Sequence, residues 1–211
     1  MIGDLRREYA SRSLTEADVR PDPLEQFDIW FGEALKAQVM DANAMTLATS
    51  SPTGEPSART VLLKAVDAGG FVFFTHYGSP KGRDLDENPR AALLFYWAEL
   101  ERQVRISGPV SRVGRDVSEK YFATRPIDSQ YAAWAAKQSS ELASRDVLER
   151  QFAEVKRRFE DSPVTCPPDW GGYRVAAERV EFWQGRPGRL HDRLLYTRRA
   201  DGTWATTRLA P

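Results

Sequence analysis

Residues 44–75, Ala-Met-Thr-Leu-Ala-Thr-Ser-Ser-Pro-Thr-Gly-Glu-Pro-Ser-Ala-Arg-Thr-Val-Leu-Leu-Lys-Ala-Val-Asp-Ala-Gly-Gly-Phe-Val-Phe-Phe-Thr, decide the fold. Apolar and β-branched residues come in short runs, and each run ends in a cluster of turn formers. The pattern predicts a strand over Ala44–Ser50, a turn at Ser51-Pro52-Thr53-Gly54 and a longer strand over Ser57–Val66. A turn at Asp67–Gly70 and a strand over Phe71–Thr75 follow. The connections are too short for crossover helices, so neighbouring strands should run antiparallel.

Further along, residues 81–88 read as a short helix stopped near Pro89, and Arg90–Ala98 and Arg102–Val113 as two more strands. Helices dominate residues 115–160, and strands return over Tyr173–Trp183, Arg193–Arg199 and Thr203–Leu209. Within the helical part, Leu148, Phe152, Val155 and Phe159 form an apolar stripe suited to core or dimer packing. Glu154 and Arg158 make a candidate surface pair. In the other direction, Asp22-Pro23-Leu24-Glu25 has the form of a helix start. Asp22 can cap, Pro23 suits the first turn and Glu25 can complete a capping box. Leu24, Phe27, Phe31, Leu35 and Val39 follow at helical spacing. Residues 1–20 are charged and aperiodic, so they read as a flexible arm before one domain over 21–211. The fold class is mainly β with α decoration, an antiparallel sheet or barrel.

The chain has 211 residues, with 30 basic and 30 acidic side chains and zero formal net charge. That balance argues against nonspecific nucleic-acid or membrane binding. Any anion site must come from local convergence of arginines and lysines. Cys166 is the single cysteine, which excludes an internal disulfide and is compatible with a reducing cytoplasm. The opening stretch has no apolar core for a signal peptide. The longest wholly apolar run, Ala91–Ala98, is far shorter than the ~20 residues of a membrane span. Two histidines and one cysteine do not suggest a zinc site, and no Gly-x-Gly-x-x-Gly or phosphate-loop motif occurs.

Four stretches carry chemistry. Glu-Phe-Trp-Gln-Gly-Arg-Pro-Gly-Arg-Leu-His-Asp-Arg, residues 181–193, mixes arginines, aromatics and a histidine beside glycines. Arginine supplies a donor fork or stacks on a ring, and histidine moves protons near neutral pH. An ordinary hairpin turn with solvent-facing arginines would look similar. Arg59-Thr60-Val61-Leu62-Leu63-Lys64 puts a cation on each face of an apolar strand, as two anion sites or as edge protection. Phe74-Thr75-His76-Tyr77-Gly78-Ser79-Pro80-Lys81-Gly82 runs from a strand end into a helix start with a lysine, the form of a phosphate cradle or of a plain turn. Tyr121, Arg125 and Ser129 step by four, and Pro126 favours a helix end with a following turn between them.

In order along the chain, these stretches resemble the pyridoxamine (pyridoxine) 5′-phosphate oxidase family. The resemblance extends to Leu5-Arg6-Arg7-Glu8-Tyr9, Leu100–Val104, Arg125-Pro126 with Asp128-Ser129-Gln130, Lys137–Ser140, Trp170-Gly171-Gly172 and the final Arg-Leu-Ala-Pro. It implies an FMN-binding split β-barrel and a homodimer with FMN at the subunit interface. The implied activity is oxidation of pyridoxamine and pyridoxine 5′-phosphates to pyridoxal 5′-phosphate, with dioxygen reduced to hydrogen peroxide. By the same analogy FMN is held by Arg59, Thr60, Val61, Leu62, Leu63, Lys64, Phe74, Thr75, Lys81, Gln103, Gln138, Ser139, Trp183 and Arg193. Gln138 and Ser139 are expected from the other subunit. The substrate phosphate is expected at Lys64, Tyr121, Arg125 and Ser129. Arg189, Leu190 and His191 are expected at the pyridine ring, under an arm of Arg6, Arg7, Glu8 and Tyr9. Arg189 and His191 are the candidate catalytic residues, and Arg193 is the candidate cation for the reduced flavin; no metal is implied. One departure stands out. Family members often carry arginine where this chain has Pro80, which predicts weaker FMN retention. Another flavin reductase on the same barrel, or a non-catalytic flavin or pyridoxal phosphate binder, are the alternatives.

Overall fold

The computed structural model describes residues 2, 8–9, 12–67 and 69–211. The expectations for Arg6 and Arg7 lie outside the described residues. Among the described residues, ten antiparallel strands and five α-helices make up the fold. β1 (Ala44–Ser50) pairs on one side with β2 (Pro56–Leu62) and on the other with β5 (Arg90–Trp97). β5 pairs with the long β6 (Arg102–Arg112). The far half of β6 pairs with β7 (Trp170–Val175), β7 with β4 (Gly70–His76), and β4 with β3 (Ala65–Asp67). Because β3 continues β2, the pairings return to their start and the sheet curls into a barrel. The near half of β6 instead carries β8 (Arg179–Gln184), then β9 (Asp192–Arg198) and β10 (Trp204–Arg208). One strand thus serves two sheets, and the barrel is split along it.

Two predicted strands are broken, for the same reason. The strand expected over Ser57–Val66 bends at Leu63 and Lys64. The Leu63 N–H bonds to Asn43 O beside β1, and the Lys64 N–H bonds to Val72 O on β4. The chain passes from one half of the barrel to the other there, and Leu63 turns into the core. The strand expected over Tyr173–Trp183 breaks at residues 176–178, where Ala176 N bonds Pro109 O and Glu178 N bonds Ser107 O. Gly108 lies beneath this corner. A Cβ there would stand 1.8 Å from Ala176 O, so only glycine lets the two backbones meet.

Helix α1 (Pro23–Lys36) closes over the barrel. Asp22 caps it by accepting the Leu24 N–H at 2.8 Å. The capping box expected at Glu25 is not made; Gln26 reaches back instead, accepting the Arg20 N–H at 3.0 Å. The buried face is Phe27, Trp30 and Ala34, with Leu24 and Phe31 partly buried. The predicted Leu35 is 57% exposed, and Val39, although buried, lies beyond the helix. Phe27 sits 4.9 Å from the Phe71 ring and 5.1 Å from Phe95, and Trp30 sits 5.1 Å from Phe182. Burying each such side chain contributes about 1.5–3 kcal/mol.

The remaining helices are α2 (Pro80–Glu87), α3 (Arg115–Ala123), α4 (Ile127–Ala135) and α5 (Arg145–Arg158). The break expected at Pro126 separates α3 from α4. A second small core of Ala135, Val155 and Phe159, with Tyr131, Trp134 and Phe152 against it, joins α4 to α5. The Glu154–Arg158 pair does not form, because the Arg158 guanidinium lies 4.7 Å over the Trp134 ring. Among the described residues no helix is long and apolar enough to cross a membrane.

Candidate functional site

The bend at Leu63–Lys64 positions the site. It brings both cations of the Arg59–Lys64 strand to one cavity of about 800 Å³. β2 supplies Arg59, Thr60, Val61 and Leu62 to its lining, the bend Lys64, and β4 Phe74 and Thr75. Lys81 comes from α2, Tyr121 and Arg125 from the end of α3, Ser129 from α4 and Gln138 from the loop after it. The described lining contains no carboxylate.

One group of donors gathers around the start of α2. Ser79 is its N-cap, and Pro80 occupies the first helical position, where a missing N–H removes no helical bond. Lys81, 8% exposed, donates to Gln138 Oε1 at 2.8 Å, and the Thr75 hydroxyl donates to the same oxygen at 3.0 Å. Gln138 therefore reaches Lys81 within one chain, whereas the resemblance implied a contribution from the other subunit. The loop after α4 folds back over the α2 N-terminus. Ser139 lies next to it, exposed, at φ +67° and outside the cavity lining. Arg59 donates to Thr49 Oγ1 at 2.7 Å and to Leu47 O at 3.2 Å. Burial, and then the charge of Arg59, hold the Lys81 ammonium below the ordinary lysine pKa. Two cations kept together at a helix N-terminus are chemically suited to receive an anion.

A second group lies across the aromatic wall. Tyr121 stacks on Phe74 at 4.1 Å, and both rings are nearly parallel to Trp170. Lys64 Nζ stands 5.9 Å from the Tyr121 centroid, and the Arg125 guanidinium 4.8 Å from that of Trp170. Arg125 Nη1 is buried without a hydrogen-bond partner, and burial lowers the pKa of the group. An unpaired buried guanidinium nitrogen is costly and marks a place for an acceptor. The lining also holds His76, Thr124, Ala132, Ala133, Ala136, Leu148 and Trp170, which the sequence reading had not assigned to a site. His76 and Trp170 stood inside quoted motifs. Leu148, expected in packing, is the member of its stripe that faces the cavity.

The other expected residues fall elsewhere. Leu63 is in the core, and Gln103, Trp183 and Arg193 are not part of the cavity lining. Strand register sets Gln103 beside Trp183 and Trp183 beside Arg193 in one row across β6, β8 and β9. The His191 ring lies 4.6 Å from Trp183, and Tyr9 packs at 5.7 Å from each. Gly185 makes room for this contact, since a Cβ there would come 2.7 Å from the Tyr9 side chain. Arg189 follows Gly188 in the left-handed region at φ +61°, and Glu8 and Leu190 are exposed. His191 Nδ1 accepts the Arg186 N–H at 3.1 Å, which places the proton of a neutral ring on Nε2. Burial, and then the Arg189 charge, lower the His191 pKa. Arg193 is paired with Glu181, at 2.8 Å from Nε and 3.2 Å from Nη2. The cation expected for the reduced flavin is thus held by a carboxylate of the neighbouring strand.

Two family models match the chain: pyridoxamine 5′-phosphate oxidase over residues 31–159, and the pyridoxine 5′-phosphate oxidase C-terminal dimerisation region over 170–211. A pyridoxine/pyridoxamine 5′-phosphate oxidase of Rubrobacter xylanophilus is 57% identical over 210 residues, covering 100% of this chain and 96% of the relative. Its counterpart in Ralstonia pickettii is also 57% identical, with 100% and 99% covered. Among solved structures, PhzG of Burkholderia lata in complex with tetrahydrophenazine-1-carboxylic acid superposes with a TM-score of 0.90 at 32% identity, covering 96% of this chain and 100% of that one. A pyridoxamine 5′-phosphate oxidase-related, FMN-binding protein of Nostoc punctiforme shares the fold, with a TM-score of 0.71 at 17% identity, covering 88% and 97%.

Proposed function

The chain belongs to the pyridoxamine 5′-phosphate oxidase family, and from that premise we propose that it oxidises pyridoxamine and pyridoxine 5′-phosphates to pyridoxal 5′-phosphate with FMN as its cofactor. The observation that carries this reading is the cavity. A chain of zero net charge puts Arg59 with Lys81, and Lys64 with Arg125, around one space without a carboxylate in its described lining. Two phosphorylated molecules match two such pairs, and the buried Arg125 Nη1 needs the acceptor that one of them brings.

In this reading Arg59, Thr75, Lys81 and Gln138 hold the phosphate of FMN, and Lys64, Tyr121, Arg125 and Ser129 hold that of the substrate. Anchoring both molecules makes the reaction between them effectively unimolecular. When bound, FMN supplies the electron chemistry, taking two electrons from the substrate and passing them to dioxygen as hydrogen peroxide. Arg189 and His191 belong at the substrate ring. With Nδ1 occupied by the Arg186 N–H, His191 offers Nε2–H as the proton-bearing atom beside Trp183. Tyr9 covers these rings as part of the arm, and 21–211 act as one domain.

The row of Gln103, Trp183 and Arg193 completes the site from a second copy of the chain. The match of residues 170–211 to a dimerisation region supports this arrangement, since it contains Trp183, Arg189, His191 and Arg193. The likeness to PhzG favours a second reading, oxidation of a larger unphosphorylated ring acid, because Ala132, Ala133, Ala136 and Leu148 give the cavity an apolar side. One experiment tests the main reading. The protein loaded with FMN is given pyridoxamine 5′-phosphate without air, then air. Bleaching of the visible band, with its return and peroxide formation on aeration, is the expected result. A protein that takes no FMN, or bleaches equally with unphosphorylated pyridoxamine, overturns the main reading.

A further inference from the structure

Arg193 is held more completely than an exposed ion pair requires. Nε donates to Glu181 Oε1 at 2.8 Å, Nη2 to Glu181 Oε2 at 3.2 Å and Nη1 to the Ala210 carbonyl at 2.8 Å. The Leu209 N–H closes on the main-chain oxygen of Arg193 at 2.9 Å. Of the five N–H bonds of a guanidinium, three are engaged and two remain. Glu181 is itself buried, with its side chain 8% exposed, and it shares Oε2 with Arg105 at 3.3 Å. A carboxylate is expensive to bury unless it is paired. Here it sits between two arginines, one of them beside Trp183 in the row described above.

We propose that Glu181 and the main chain at Leu209–Ala210 are positioning groups for the cofactor half-site. They fix the plane of the Arg193 guanidinium, leave two N–H bonds for the bound flavin and cancel part of the charge that reaches it. This rests on the reading that FMN binds here with Arg193 beside it. It also gives residues 209–210 a task beyond closing the sheet edge. Glu181→Gln keeps the size of the side chain but turns one acceptor into a donor that opposes the arginine. Removal of residues 209–211 takes away the Ala210 oxygen and leaves every side-chain charge in place.

The test measures FMN affinity of the apo protein by quenching of flavin fluorescence, the reduction potential of the bound flavin, and the melting temperature of the apo protein. Arg90→Ala serves as the control, because it breaks an exposed arginine–glutamate pair with Glu178 outside the row. Both the Glu181→Gln variant and the shortened chain are expected to bind FMN about ten-fold more weakly, a loss in keeping with one charge-assisted hydrogen bond. The control is expected to bind as the unaltered protein does. The flavin potential should rise in Glu181→Gln, where the arginine charge is no longer offset, and stay put in the shortened chain. Unaltered affinity and potential in Glu181→Gln would overturn the inference, as would losses that only follow the melting temperature in all three variants. Failure of the unaltered protein to bind FMN would remove the parent reading and this inference together, whereas normal binding by the unaltered protein with an indifferent Glu181→Gln removes the inference alone.

Discussion

At the scale of single residues, the cavity sets ligand binding against stability. Arg125 keeps a buried nitrogen without an acceptor, so its removal should relieve the empty protein. Arg125→Met is expected to raise the apo melting temperature slightly while lowering kcat/KM for pyridoxamine 5′-phosphate by 100-fold or so, about the contribution of a charged phosphate contact; paired melting and kinetic runs check it. Pro80 presents a different balance. It presets the first turn of α2 but adds no charge beside Arg59 and Lys81. Pro80→Arg should tighten FMN binding and lower apo stability by about 0.4–1 kcal/mol through the freer unfolded chain. Equal FMN dissociation constants for the two proteins would show that the phosphate lies elsewhere. His191 carries the pH signature. Its folded pKa is below the ordinary histidine value, so on acidification the unfolded chain takes up the proton first. The stability tied to this group is present above the ordinary value and declines as pH falls from there through the folded pKa. Melting temperatures at pH 7 and pH 5 should differ less for His191→Asn than for the unaltered protein.

At the scale of elements, legibility followed periodicity. Ala44–Ser50 was readable to the residue because polar turn formers bound an alternating run. The bend at Leu63–Lys64 was hidden, since Val-Leu-Leu-Lys-Ala-Val reads as uninterrupted strand; only the two hydrogen-bond partners on different strands reveal it. The corner at residues 176–178 was hidden in the same way, and its one local sign, Gly108, lies on another strand. Gly108→Ala tests that corner. The added methyl meets the Ala176 carbonyl, so the variant should be destabilised by several kcal/mol. A melting curve within a degree of the unaltered protein would mean that the two strands part freely.

At the scale of the whole molecule, the donor groups around the cavity were legible as motifs, but their division into two clusters was not. Spacing along a chain does not reveal which residues a second chain brings. Gln138 illustrates the difficulty, being expected from the partner and found on Lys81 of its own chain. If the cavity and the Gln103–Trp183–Arg193 row meet only across two copies, Lys81→Ala and Arg193→Ala impair different halves of each site. Unfolded together and refolded as a mixture, the two poor variants should recover up to about a quarter of the normal specific activity, because one of the two sites in each mixed dimer is intact. No recovery on mixing, with both variants folded, would place the two clusters in one chain's site. The bend at Leu63–Lys64 has a further consequence. A molecule gripped by Arg59 and Lys64 on one side and Phe74 and Thr75 on the other rivets the seam where the barrel halves join. By mass action such a molecule would add to the stability of the folded chain, and the melting temperature should climb with its concentration.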